Sequence, residues 1–172
     1  MPFEYDNYNR QGGAFLLTSR TKRFLICLAI PLLVGLVAGL ATMNGMDSFQ
    51  ALNKPPLSPP GWLFPLVWTV LYTMMGVASY LVLVSGGSQA DVSPALLFYG
   101  VQLAFNFVWS FLFFSFELYW FAFAWLIALW ILILITALKF SKLSDVAAYL
   151  MLPYLAWVTF AAYLNFGIAL LN

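Results

Sequence analysis

The residues of this chain that could do chemistry are amides, hydroxyls and indoles placed inside long apolar segments. One segment carries such groups at helical spacing, at Gln102, Asn106, Trp109, Ser110 and Phe113. Two other segments repeat the pattern, at Trp68, Tyr72, Met75 and Ser79 and at Trp157, Ala161, Asn165 and Ile168. Hydrocarbon offers polar side chains no partner, so we expect these three polar stripes to face a bundle interior or a cavity.

The polar stripes allow two interpretations. In the first they line a pocket for a flat, mostly apolar ligand with a polar edge, where ring stacking contributes about 0.5–1.5 kcal/mol per pair. Asn106 and Asn165 would bond to that edge, and Ala161 would leave room for it. In the second the amides link neighbouring helices, each worth about 0.6–2 kcal/mol, and the aromatic rings belong to the core. Spacing alone leaves both open.

Several kinds of site are excluded by residue counts. The chain has no histidine and a single cysteine, Cys27, so zinc sites and histidine acid–base chemistry are not available. No nucleophile and base pair is visible either, and we predict no metal site and no obligatory cofactor. A net charge of +1 without a basic tract gives no electrostatic basis for binding nucleic acid.

The elements that must position these residues are membrane helices. Of the 172 residues, 64% are apolar and only 8% are charged, which predicts an integral membrane protein in a lipid bilayer. Each long uncharged run can hold one span of about 20 residues. The fold class predicted is an all-α bundle of five transmembrane helices, in one domain at 21–172 that follows a polar tail at 1–20. The spans are expected at about 22–43, 63–84, 93–116, 119–140 and 146–170.

The basic residues predict the orientation of the spans. With five alternating helices, six of the seven Lys and Arg residues fall on one side of the membrane and only Lys54 falls on the other. Basic residues favour the cytoplasmic side. The N-terminus is therefore predicted to be cytoplasmic, and the first loop is predicted to face outward. The six are Arg10, Arg20, Lys22, Arg23, Lys139 and Lys142.

The outward loop, predicted at 44–62, is rich in proline. Asp47–Asn53 is long enough for one or two helical turns, and four prolines follow within residues 55–60. Proline fixes φ and removes a backbone donor, so this part of the loop must be stiff. It is either a spacer or the wall of a pocket.

In the first helix Gly35 and Gly39 form a GxxxG motif, which serves either a dimer contact or packing within the chain.

Several stretches together resemble one known family. The resemblance covers the chain from about Phe24 to its end, and it identifies the chain as similar to the translocator protein family, also called the tryptophan-rich sensory protein (TspO) or peripheral benzodiazepine receptor family. The stretches are Lys54-Pro55, Pro59-Pro60-Gly61, Val67-Trp68-Thr69-Val70-Leu71-Tyr72, Gln102, Asn106, Trp109-Ser110, Phe113-Phe114, Pro153-Tyr154, Trp157, Phe160-Ala161 and Leu164-Asn165.

The resemblance implies a five-helix homodimer, here a bacterial member in the cytoplasmic membrane. Its pocket, beneath the first loop, would bind porphyrins, haem, or isoquinoline and benzodiazepine-type drugs. Some bacterial members are assigned a light- and oxygen-dependent breakdown of protoporphyrin, which would implicate Trp68 and Trp157 here. The pocket positions implied by the matching motifs are Phe49, Pro59, Phe64, Trp68, Tyr72, Asn106, Trp109, Trp157 and Ala161.

Three functions remain as hypotheses at this point. The first is a receptor or carrier for porphyrin or haem, the second a porphyrin-degrading enzyme, and the third a structural membrane protein. The sequence departs from the family's usual Trp-Tyr pair in the loop, where it has Ser48-Phe49. It also lacks a Tyr and a basic residue after Asn165, which the proposed cholesterol motif requires, so sterol binding there is not expected.

Overall fold

A computed structural model describes the backbone of residues 3–172 and the side chains of residues 19–45 and 48–172. That part of the chain is helical, with short connections between the helices. A π-helical turn at Phe111–Ser115 continues α4. The α-helices in chain order are α1 Phe3–Ala41, α2 Gly45–Ala51, α3 Leu63–Leu83, α4 Gln89–Ser110, α5 Tyr119–Ser141 and α6 Asp145–Leu171.

Within residues 3–172, five helices are long and apolar enough to cross a membrane. This finding confirms the predicted all-α membrane fold. Each span also falls within a few residues of its predicted position. The spans are Ser19–Ala41, Leu63–Leu83, Gln89–Ser115, Tyr119–Ser141 and Asp145–Leu171.

The N-terminal segment predicted as a tail at 1–20 has a more regular backbone than expected. Helix α1 begins at Phe3 and continues without a break into the first span. No proline lies between Phe3 and Pro31, so backbone chemistry provides no stop signal at the membrane boundary. The cytoplasmic position of this segment stays a prediction.

The spans form a ring whose order differs from the chain order. Helix α1 packs on α3, α3 on α6, α6 on α5 and α5 on α4, and α4 closes the ring against α1 and α3. Helices α1 and α3 approach closely at Gly76, where an added Cβ would lie 2.8 Å from the Cα of Leu28. The centre of the bundle is filled by fully buried apolar side chains, among them Met75, Ala78, Leu129, Ile133, Met151 and Val158.

The proline-rich loop is fixed to α6. Pro55 is buried, and its ring packs where Gly167 of α6 leaves space, since a Cβ there would lie 2.6 Å from the Pro55 ring. The Tyr163 hydroxyl donates to the carbonyl of Pro56 over 2.8 Å. Helix α6 itself runs unbroken through Pro153. The stiffness predicted for the loop is thus reinforced by contacts with a helix more than 100 residues away in sequence.

Candidate functional site

A cavity lies between α1, α3 and α4, at the end of the bundle where the first loop connects α1 to α3. Its volume is about 600 Å³. Proteins commonly bind small molecules in cavities of about 300–1,000 Å³. The lining includes the C-terminal half of α1, from Leu32 to Met43, and several aromatic side chains, namely Phe64, Trp68, Tyr72, Trp109 and Phe114.

The wall of the cavity is mostly apolar, and its hydroxyl groups donate hydrogen bonds within the protein. Two threonine hydroxyls bond carbonyls of their own helix, and the tyrosine hydroxyl bonds a core amide. A ligand would therefore meet ring faces and aliphatic groups more than free hydroxyls. These three bonds run from Thr42 to the Ala38 carbonyl at 2.9 Å, from Thr69 to the Pro65 carbonyl at 2.7 Å and from Tyr72 to Asn106 Oδ1 at 3.1 Å. The fourth lining hydroxyl, that of Ser110, donates to the Asn106 carbonyl at 3.4 Å.

Two indoles in the lining are each held by a second ring. Trp68 on α3 stacks on Tyr72 with 5.3 Å between ring centroids and 29° between planes. Trp109 on α4 stacks on Phe113 at 5.3 Å and 24°. A stacked neighbour restricts how an indole can turn, so both rings are presented to the cavity in defined orientations. Flat aromatic ligands fit such walls.

The two asparagines of the polar stripes link helices. Asn106 is 1% exposed, accepts the Tyr72 hydroxyl bond and donates from Nδ2 to the Tyr154 hydroxyl over 2.7 Å. Asn165 Oδ1 accepts from Trp109 Nε1 at 3.3 Å, and its Nδ2 donates to the Tyr119 carbonyl at 2.8 Å. Of the two interpretations of these amides, this geometry favours helix linking. Neither asparagine lines the cavity.

Two parts of the site were not predicted from sequence. The π-helical turn at Phe111–Ser115, where the Phe116 amide bonds the Phe111 carbonyl at 2.9 Å, brings Phe114 into the lining. It contains neither proline nor glycine, so no local signal marks it. The other part is the wall formed by α1. Its lining residues include leucines, and other exposed residues of the same helix are leucines too, so residue type does not distinguish them.

The nine predicted ligand-binding residues are only partly brought together. Four of them line the cavity: Phe64, Trp68, Tyr72 and Trp109. Phe49 is buried against the outer side of this wall, with its ring centre 5.7 Å from that of Phe64 and 5.9 Å from that of Phe114. The remaining four lie outside the lining, namely Pro59 in the loop, Asn106 in the core, and Trp157 and Ala161 on α6.

The two tryptophans predicted as catalytic have different surroundings. Trp68 contacts Tyr72 and Tyr154 by its ring and lines the cavity. Trp157 contacts Phe64 at 6.1 Å and Phe160 at 5.6 Å between ring centroids. Its Nε1 is buried and has no hydrogen-bond partner among the described residues. The catalytic role of both stays a prediction.

Comparison with known proteins gives consistent matches over most of the chain. The model of the TspO/MBR family matches residues 27–171. A tryptophan-rich protein TspO from Chlorobaculum tepidum is 38% identical over 148 residues, covering 86% of this chain and 94% of the relative. A tryptophan-rich sensory protein from Cereibacter sphaeroides is 37% identical, covering 77% and 81%. A translocator protein from Ovis aries is 40% identical, covering 72% and 73%.

Proposed function

The chain belongs to the TspO/MBR family of membrane proteins, and from that premise we propose that it is a receptor or carrier for porphyrin or haem. Benzodiazepine- and isoquinoline-type drugs would compete for the same cavity. The tetrapyrrole would be a ligand, without any obligatory cofactor. The proposal gives the chain a role in sensing, transport or homeostasis of tetrapyrroles.

The observation that carries this proposal is the apolar cavity of about 600 Å³ with the indoles of Trp68 and Trp109 in its wall. Both rings are held by stacked neighbours. A tetrapyrrole offers a wide aromatic face, and aromatic pairs contribute about 0.5–1.5 kcal/mol each beyond the area that they bury. Because the lining hydroxyls are already bonded, an apolar ring system loses little by replacing water there.

We propose further that the protein lies in the bacterial cytoplasmic membrane as a homodimer with its N-terminus in the cytoplasm. The six-to-one distribution of basic residues supports this orientation. Gly35 takes part in packing within the chain, because an added Cβ there would overlap the Tyr72 ring. A dimer contact would therefore have to use surface other than Gly35.

The experiment is a spectral titration of the purified full chain with protoporphyrin, in darkness and under light. A receptor or carrier gives saturable binding with one spectral shift in darkness and no loss of ligand. A degrading enzyme gives the same binding together with loss of the porphyrin absorbance under light and oxygen. Absence of saturable binding in either condition would contradict the proposed function.

The second candidate function is the light- and oxygen-dependent breakdown of protoporphyrin. The specific observation in its favour is that Trp68 lines the cavity, so an oxidisable indole would touch a bound photosensitiser. A reaction of this kind needs no nucleophile and base pair, and none is visible in the sequence.

A further inference from the structure

A single basic residue lies at the loop end of the bundle. Of the seven Lys and Arg residues, Lys54 is the only one in the segments that connect α1 to α3 and α4 to α5. The other six lie in the N-terminal part of the chain up to Arg23 or at the junction of α5 and α6, at the opposite end. A bilayer core of about 30 Å separates the two ends. Any fixed positive charge near the loop end is therefore that of Lys54.

The ammonium group of Lys54 is held close to the cavity wall. Its Nζ lies 4.8 Å from the ring centre of Phe49 and donates to the Gln50 carbonyl over 3.0 Å. The Phe49 ring in turn packs against Phe64 and Phe114, both of which line the cavity. The Phe49 ring thus lies between the ammonium and two rings of the cavity wall.

The acidic groups near Lys54 are few. Glu117 lies in the turn between α4 and α5, and Asp47 lies in α2 with its side chain outside the described residues. Among the described side chains, the contacts of the ammonium are with a carbonyl and a ring, which are both neutral. Within the described side chains no carboxylate contacts the ammonium, so it can meet an anionic group of a ligand.

Porphyrins of the protoporphyrin type carry carboxylates on short flexible arms at one edge of a flat apolar body. Moving an ionised carboxylate into an apolar wall without a partner is strongly unfavourable. The lining hydroxyls of Thr42, Thr69 and Tyr72 already donate within the protein. An orientation with the apolar ring system in the cavity and the carboxylate edge at the loop end avoids this cost, because Lys54 is the cation at that end.

We infer that Lys54 determines ligand specificity, by pairing its ammonium with a carboxylate of the bound tetrapyrrole. The cavity would then distinguish carboxylate-bearing tetrapyrroles from neutral flat molecules that bury the same ring area. This inference rests on the proposed function, and it goes beyond it by assigning the charged end of the ligand to one residue.

The test compares protoporphyrin, which has two carboxylates, with its neutral dimethyl ester, by equilibrium titration of the full chain in lipid nanodiscs in darkness. The variant Lys54→Met removes the charge and keeps the apolar stem. We expect it to bind protoporphyrin about two- to fivefold more weakly, the upper part of the range for an ion pair that is exposed to solvent. Binding of the ester should change less than about twofold, because the ester has no ionised carboxylate that could pair with Lys54.

Two further variants and one solution condition complete the design. Lys54→Arg keeps the charge and should bind protoporphyrin like the parent chain. Lys142→Met removes an exposed charge at the opposite end and should have no effect on either ligand. Added salt should weaken protoporphyrin binding to the parent chain, by screening, but not to Lys54→Met.

The outcomes separate the inference from the proposed function. Equal weakening of acid and ester by Lys54→Met would overturn the carboxylate pairing while leaving the cavity as a porphyrin site. Unchanged binding of the acid would overturn it as well. If the parent chain bound neither ligand, the proposed function itself would fail. Should Lys54→Met not fold, two other results test the inference. Binding of protoporphyrin to the parent chain that does not weaken with salt, or weaker binding to Lys54→Arg, would overturn the carboxylate pairing.

Discussion

The side chain of Asn172 bonds both backbone groups of Asn53, although 119 positions separate them in the sequence. Asn172 Oδ1 accepts from the Asn53 amide at 3.1 Å, and Asn172 Nδ2 donates to the Asn53 carbonyl at 3.0 Å. Nδ2 also bonds the Ile168 carbonyl in the last turn of α6, at 2.9 Å. One side chain therefore closes the end of a helix and holds the start of the proline-rich loop.

Replacing this residue should loosen the loop. In Asn172→Ala both bonds to Asn53 are lost, at a cost of about 1 kcal/mol for groups that water can reach, or about fivefold in the opening equilibrium. Hydrogen exchange at the Asn53 amide should accelerate by that factor. Asn44→Ala, at an exposed asparagine between α1 and α2, is the control and should leave it unchanged. An unchanged rate in Asn172→Ala would show that the proline contacts alone hold the loop.

Two amides on α4, one turn apart, should respond oppositely to replacement by an apolar residue. Asn106 pairs with the hydroxyls of Tyr72 and Tyr154, so Asn106→Leu leaves two buried hydroxyls unpaired and should cost about 1–3 kcal/mol. Gln102 Oε1 has no hydrogen-bond partner among the described residues. Gln102→Met should therefore raise the free energy of unfolding by up to about 1 kcal/mol.

Thermal unfolding in one detergent compares these two variants with the parent chain. Asn106→Leu should melt at a lower temperature and Gln102→Met at the same or a higher one. If Gln102→Met melted as early as Asn106→Leu, the Gln102 carbonyl would have a partner that the structure does not show.

The GxxxG glycines should differ in their tolerance of a methyl group. A Cβ on Gly35 would overlap the Tyr72 ring, which its bond to Asn106 holds in place, whereas a Cβ on Gly39 would meet nothing within 4 Å. Gly35→Ala should lower the free energy of unfolding by about 1–3 kcal/mol through overpacking. Gly39→Ala should be neutral or slightly stabilising. Equal melting temperatures for the two variants would mean that Tyr72 adjusts freely.

The sequence allowed the fold to be predicted because membrane spans are long and chemically uniform. A run of about 20 residues without charge is a strong signal of a membrane-spanning helix. The five spans were predicted from such runs. The helix pairing could not be predicted: Asn106 was recognised as an interior residue, but its partners Tyr72 and Tyr154 lie on other helices. Local patterns contain no such information.

Most aromatic residues of the cavity wall could be predicted from the sequence, whereas its leucines could not. Trp68, Tyr72 and Trp109 were recognised because aromatic and polar groups stand out against an apolar background. Leu36 and Leu40 line the same cavity yet resemble residues that face lipid. The link between Asn53 and Asn172 is equally invisible, because each asparagine by itself is typical of a helix end or a turn.

The light-driven reaction, if present, should depend more on Trp68 than on Trp157. Phenylalanine still stacks on a porphyrin but is much harder to oxidise than indole, so Trp68→Phe should keep binding and slow the loss of porphyrin absorbance. Trp157→Phe should slow it less, because Trp157 lies outside the cavity lining. Illuminated absorbance decay with both variants is the measurement. Equal rates in Trp68→Phe and the parent chain would exclude Trp68 from the chemistry.

If porphyrin binds in the cavity between α1, α3 and α4 as proposed, a larger side chain at Gly39 should weaken its binding. Gly39 lines this cavity and Gly100 on the exposed face of α4 does not, while an added Cβ meets nothing within 4 Å at either position. A leucine at Gly39 would occupy ligand space, at a cost of about 1–3 kcal/mol, or about 5- to 150-fold in affinity.

The deciding measurement is the dissociation constant of protoporphyrin for Gly39→Leu and Gly100→Leu, determined in darkness beside their melting temperatures. We expect Gly39→Leu to bind protoporphyrin at least about fivefold more weakly at an unchanged melting temperature. Gly100→Leu should bind like the parent chain. Equal binding by the parent chain and both variants would show that porphyrin binds elsewhere on the molecule.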